Sequence, residues 1–196
     1  YNVAQMIGSM GILRASQTKQ KLVPFGEYLP GEDSFPLLRD WFPNARRYLP
    51  GSELNLLPWA EESSVLAAIC YEIGFESILK QALESRPRIV WNPVNDGWFP
   101  VSMAAWHRAL AQFSSVEIGL PLIRVSNSGY TVITDTRGFV LQTGEWDQSV
   151  AKTVKIPVPE QSGPWLHISE IARWILLGWV LLDVGLGLLL RNREKD

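Results

Sequence analysis

The sequence predicts an α/β layered domain that leads into a membrane-spanning helix. Three observations carry this: strand-like and helix-like patterns alternate through the middle of the chain, a Thr-rich hairpin follows them, and a long apolar stretch lies near the end of the 196 residues. Alternation of that kind packs helices against a sheet. Tyr1-Asn-Val-Ala-Gln-Met-Ile7 reads as a strand already under way, without the basic and apolar regions of a signal peptide. Phe75, Ile78, Leu79, Ala82 and Leu83 recur at helical spacing, and Arg88-Ile-Val-Trp91 is a short strand. Trp106, Leu110 and Phe113 mark a second helix. Pro121 to Val125 and Tyr130 to Thr134 read as strands, with the turn Asp135-Thr-Arg-Gly138 leading into Phe139-Val-Leu141.

Two segments break the alternation. Residues 28–62 are rich in Pro and aromatics, with Tyr28-Leu-Pro-Gly31, Trp41-Phe-Pro43 and Tyr48-Leu-Pro-Gly51 in succession. A long irregular loop in a compact domain is usually functional, and its aromatics suit a lid over an apolar site. From Trp174 to Leu190 the chain has 13 apolar residues, three Gly and one charge, Asp183. With a start at Ile168 the length suffices for a tilted bilayer crossing at about 1.5 Å per residue. Arg191, Arg193 and Lys195 follow directly and read as a cytoplasmic anchor, which puts the preceding body on the extracytoplasmic side. The expected organisation is therefore an α/β domain over 1–157, a turn-rich linker over 158–167, the span over 168–190 and a basic tail over 191–196.

Composition narrows the chemistry. A net charge of −2 gives no basic surface for nucleic acid. One Cys with His107 and His167 far apart cannot make a zinc cluster. No Gly-x-Ser-x-Gly elbow and no phosphate-cradling loop occurs. His107 reads as a helix-surface or core residue rather than a base. Nine Trp suit work at a lipid–water interface, though aromatic cores account for them equally.

Cys70 sits where the apolar run Ser64-Val-Leu-Ala-Ala-Ile69 gives way to a helix-like segment. The orphan N–H groups of a helix start favour a thiolate, so this thiol is placed for nucleophilic chemistry. Two further segments carry ordered chemistry: Lys19-Gln-Lys-Leu-Val-Pro-Phe-Gly-Glu27-Tyr-Leu-Pro30, and Trp91-Asn-Pro-Val-Asn95-Asp-Gly-Trp98-Phe99. With Ile69-Cys70-Tyr71-Glu72 they resemble the nitrilase, or carbon–nitrogen hydrolase, superfamily, and within it the apolipoprotein N-acyltransferase branch. Arg124-Val-Ser-Asn127-Ser-Gly129 and Asp135-x-x-Gly138 continue the resemblance.

The resemblance implies an α-β-β-α sandwich of which only the C-terminal portion is encoded here, with the N-terminal strands missing, followed by one transmembrane helix. It implies Cys70 as nucleophile and Lys19 as the oxyanion stabiliser, which is also expected to lower the thiol pKa. Glu27, Glu72 and Tyr71 would be accessory or orienting groups. Trp41, Phe42, Tyr48, Leu49, Trp98 and Asn95 would meet substrate or lipid. No cofactor and no metal is implied. The reaction would move a fatty acyl group from a phospholipid, through a Cys70 thioester, to the N-terminal amine of a lipoprotein in a bacterial inner membrane. Residues 1–18 contain no Asp or Glu, so the family's general-base Glu is expected upstream of Tyr1 and the chain alone is expected to be inactive. Gln17-Thr18 stands where the family commonly has Tyr-Asp, and Pro100 where it commonly has Gly. An amidase acting on small substrates and a non-catalytic membrane-anchored remnant are the alternative readings.

Overall fold

The computed structural model describes residues 1–60, 63–146, 148–149, 151–160 and 171–183. Its centre is a six-stranded sheet in the order β3-β4-β5-β6-β7-β8: Leu57–Ala60, Ser63–Ala67, Ile89–Val94, Leu122–Ser126, Thr131–Thr134 and Val140–Gly144. Strands β4, β5 and β6 run parallel, while β3, β7 and β8 pair antiparallel at the two edges. Parallel neighbours need crossovers, and helices α2 (Glu76–Glu84) and α3 (Val101–Ile118) supply them. A short helix α1, Leu38–Trp41, lies in the aromatic loop.

Period-two alternation sorts β4 onto two faces. Leu66 and Ala68 point towards the helices, in a core with Ile73, Leu79, Ala82, Val90, Ala111, Ile118, Leu120, Leu122 and Val132. Val65, Ala67 and Ile69 point the other way, towards Ala4, Met6, Ala15 and Leu57. That second face is covered by a separate antiparallel ribbon, β1 (Val3–Ile7) with β2 (Leu13–Thr18). The described residues thus form helix, sheet and second sheet, three layers of the expected four. Each Leu or Ile sealed in these interfaces is worth about 1.5–3 kcal/mol.

Two expectations change, and a third falls partly outside the described residues. Residues 57–60 are an edge strand rather than part of a lid; Pro58 is tolerated there because an edge strand leaves one side of its backbone unpaired. Helix α3 exists, but its sequence markers face out: Trp106 is 75% and Phe113 64% exposed, while Ala104, His107, Ala111, Ser114, Ser115 and Ile118 form its buried side. Small residues on that side let the helix lie close to the sheet. At the C-terminal end, residues 171–183 are helical, with Trp174, Leu177, Trp179 and Leu181 all exposed. Among the described residues no helix is long and apolar enough to cross a membrane, and residues 168–170 and 184–190 of the expected span lie outside them.

Candidate active site

In open parallel sheets, ligands meet the chain at the carboxyl ends of the strands. Cys70 follows the end of β4, and Asn95, Asp96 and Trp98 follow the end of β5. A cavity of about 490 Å³ opens there, lined among others by Lys19, Glu27, Tyr48, Cys70, Asn95 and Trp98. The two groups expected to act together, Cys70 and Lys19, therefore share one compartment.

Lys19 is held from several directions. It follows β2 directly, and its N–H donates to Asn2 O at 2.9 Å. Gly51 N–H donates to Lys19 O at 2.8 Å. A Cβ on Gly51 would lie 2.6 Å from the Thr18 carbonyl, so the loop can approach this closely only through glycine. The Lys19 ammonium is 1% exposed and donates to Glu27 Oε2 at 2.7 Å. It also lies 5.2 Å from the centre of the Tyr71 ring. Glu27 receives two further bonds, from Val23 N–H at 2.8 Å and Asn2 Nδ2 at 3.0 Å. Burial alone would raise the Glu27 carboxyl pKa, but the bonds from Lys19, Val23 and Asn2 outweigh it and hold the group below its usual value.

Glu72 has a different task. Its buried carboxylate accepts the N–H groups of Gln20, Lys21 and Ile69, the last two at 2.9 Å each. It thereby ties the segment after Lys19 to the turn that carries Cys70. Burial pushes its pKa up against those three donors, and the net shift is upward. Tyr71 donates its hydroxyl to Leu22 O at 2.6 Å, a second tie between the same segments. Burial and the neighbouring carboxylates push the Tyr71 pKa up to about 12, so it stays protonated.

Cys70 opens a 3₁₀ turn, Cys70–Gly74, with φ of +59°. A left-handed backbone at a non-glycine residue costs about 1–3 kcal/mol and persists only where surroundings impose it. As expected, the Lys19 charge pulls the thiol pKa down, but the net shift is upward. Burial is the largest influence and raises it; the Lys19 charge and the Tyr71 N–H pull down without overcoming burial. The resting group is a thiol that must lose its proton to react.

Of the expected substrate residues, Tyr48, Trp98 and Asn95 line the cavity. Trp41, Phe42 and Leu49 do not: Trp41 is 76% exposed, Leu49 is largely exposed, and Phe42 packs at a tilt against Phe25 with ring centres 5.2 Å apart. Arg46 was not anticipated. It lines the cavity mouth with its guanidinium about 6 Å from the Tyr48 and Trp98 rings (5.9 and 6.0 Å). One basic residue among several in a loop carries no distinguishing sequence signal. No cluster fit for a metal ion occurs among the described residues.

A cysteine, a buried lysine and two buried glutamates held at the strand ends of an α/β sandwich define a nitrilase-like protein. The carbon–nitrogen hydrolase family model matches residues 1–158, and the chain belongs to that family. Its sequence is similar to apolipoprotein N-acyltransferases. That of Pasteurella multocida strain Pm70 is 30% identical over 178 residues, covering 90% of this chain and 34% of the relative. That of Bradyrhizobium diazoefficiens strain USDA 110 is 35% identical over 143 residues, covering 70% and 26%. The chain spans about a third of the length of these curated relatives or less. Among solved structures, the NitN amidase from Nesterenkonia sp. AN1 aligns with a TM-score of 0.56 at 17% identity over 87% of this chain and 62% of that one. The glutamine-dependent NAD+ synthetase of Acinetobacter baumannii aligns with a TM-score of 0.60 at 12% identity over 76% and 27%. These two likenesses concern the fold.

Proposed function

We propose that the chain is the catalytic part of a membrane acyltransferase that N-acylates lipoproteins, with Cys70 as nucleophile. In the first half-reaction the Cys70 sulfur, its proton removed by a base, attacks the carbonyl carbon of a phospholipid ester. A C–S bond forms, the carbonyl oxygen takes the negative charge, and collapse expels the lysophospholipid alkoxide, which takes up a proton. In the second, the amine of an N-terminal lipidated cysteine attacks the thioester. An amide bond forms, the C–S bond breaks, and the proton the amine gives up returns to the departing Cys70 thiolate. Lys19 sits where a fixed cation stabilises both oxyanions, and fixed charge in a water-poor site is the strongest such contribution. Glu27 orients Lys19, and Glu72 with Tyr71 aligns the segments that bear Lys19 and Cys70.

The observation that carries this reading is the convergence of the Lys19–Glu27 segment and Cys70 on one cavity from two separate parts of the chain. Glu27 is occupied by Lys19 and Glu72 by backbone amides. The reading therefore assigns removal of the Cys70 proton to a group other than these two carboxylates. Membrane attachment is part of the same proposal: residues 168–190 cross the inner membrane, 191–196 lie in the cytoplasm, and 1–157 face the other side. The exposed aromatics of the loop, Phe35 and Trp41 among them, would rest on lipid.

The test is mass spectrometry of the complete protein after incubation with phospholipid. A hydroxylamine-labile acyl adduct on Cys70, absent from Cys70→Ala, is expected; a protein that stays unmodified refutes the reading.

A further inference from the structure

Behind Cys70 lies a buried polar chain that the acyl-transfer reading does not use. Asn92 Nδ2 donates to Cys70 O at 2.8 Å and to Ala68 O at 2.6 Å. Its Oδ1 accepts from Arg124 Nη1 at 2.7 Å. Because a guanidinium only donates, this contact settles which end of the amide faces which partner. Asn92 and Arg124 are register partners across β5 and β6. Arg124 Nη2 donates to Asp96 Oδ2 at 2.7 Å, and Asp96 Oδ1 meets His107 Nδ1 at 2.9 Å. Asn92, Asp96 and Arg124 are each 0% exposed.

Such a cluster is costly to bury, and aliphatic residues of similar volume would serve a sheet interior at least as well. Leu122, two residues earlier and also fully buried on β6, is the ordinary solution. What the cluster supplies is direction. The chain terminates on the carbonyl of the one site residue whose backbone is left-handed. Gly129 adds to its closeness of fit: a Cβ there would lie 2.5 Å from Asp96 Oδ2 and 2.6 Å from Ser126 Oγ.

We propose that Asn92, Arg124, Asp96 and His107 form a positioning relay that locks the Cys70 peptide at positive φ and so keeps the sulfur facing Lys19. The inference rests on the reading of Cys70 as nucleophile. None of the four residues touches the reacting atoms; they act through the Cys70 carbonyl.

The test reads the coupling between Lys19 and the thiol. Cys70 is the sole cysteine, so its alkylation by iodoacetamide can be followed in the full chain from pH 6 to 11 without background. In the wild type, Lys19→Met should move the alkylation profile upward by about one pH unit, a tenfold loss of thiolate at a fixed pH below the midpoint. In Asn92→Asp, which keeps the Arg124 contact but turns the donor to Cys70 O into an acceptor, the Lys19→Met shift should shrink to under a third of that. Arg124→Lys, which cannot bridge Asn92 and Asp96 as a fork, should behave likewise. Ile118→Val loosens the same core away from the relay and should leave the shift intact. An undiminished Lys19-dependent shift in folded Asn92→Asp or Arg124→Lys overturns the proposal. Failure of both variants to fold assigns the cluster to sheet integrity and overturns it equally. A wild type that shows the shift but never accepts acyl from phospholipid sinks the acyltransferase reading and leaves the relay standing.

Discussion

Replacing Glu27 by Gln isolates the electrostatic centre of the site. The substitution keeps shape and removes one charge from a pair in which Lys19 is 1% and Glu27 6% exposed, at 2.7 Å separation. Three donors converge on the carboxylate: Asn2 on Oε1, and Lys19 with Val23 on Oε2. A Gln side chain must turn its NH₂ group towards one side. The less costly orientation gives up Asn2 and keeps an oxygen for Lys19 and Val23. What is lost is then one hydrogen bond and the charge that neutralises a buried ammonium. Breaking a buried pair from one side costs about 3–5 kcal/mol, and the retained contacts put this case at about 3. For a domain of this size, that lowers the melting temperature by about 6–12 °C.

Thermal unfolding followed by circular dichroism measures the loss. The double variant Lys19→Met/Glu27→Leu removes both charges and should recover most of it. The pH dependence has a defined sign. The folded Glu27 carboxyl titrates below its ordinary value of 4.5, so between the two values the unfolded chain binds a proton that the native state does not. The stability Glu27 contributes is complete above about pH 4.5 and is lost as pH falls through the folded value. Glu72, shifted upward, works in the opposite sense: stability is lost as pH rises through its folded value. The gap between wild type and Glu27→Gln should therefore narrow in acid. A Glu27→Gln protein melting within 2 °C of wild type at pH 7, or a double variant no better than the single one, would refute the assignment of a buried, coupled pair.

Further expectations follow from backbone, packing and exposure. Because Cys70 has a φ of +59°, Cys70→Gly should unfold at higher urea than Cys70→Ala, by about 1 kcal/mol; equal stabilities would remove the strain argument. Gly129→Ala should cost about 1–3 kcal/mol in urea unfolding, because its Cβ meets the Asp96 carboxylate at a distance real structures do not tolerate; a neutral result would show that Asp96 can move. Trp41 is 76% exposed, so in vesicles with brominated acyl chains Trp41→Phe should visibly reduce the quenching of total Trp fluorescence; unchanged quenching would place the loop away from lipid. Burial holds the Cys70 thiol above its ordinary 9.0, so alkylation should be slow at pH 7 and rise steeply only in base, and fast reaction at neutral pH would contradict that environment.

By itself the sequence determined much of the order of the elements and singled out a candidate reactive set. Periodicity and turn residues are local properties, and they placed strands at β1, β5, β6 and β7 and helices at α2 and α3 to within a few residues. Three ordered motifs carry a family resemblance, and it was that resemblance that pointed to Cys70, Lys19, Glu27 and Glu72. Only the tertiary structure decided which way α3 turns. Its bulky stripe of Trp106, Leu110 and Phe113 faces solvent, since the side against the sheet is filled mainly by small residues, with Ile118 at its end and the His107 side chain that reaches Asp96. The protonation of Cys70 was likewise beyond the motif, because the effect of a nearby cation depends on how much water the fold removes. The Asn92–Arg124–Asp96 cluster joins residues whose separation along the chain says nothing of their contact. It exists because parallel pairing sets Asn92 opposite Arg124 in the sheet interior, where every polar atom must find a partner or pay for its absence.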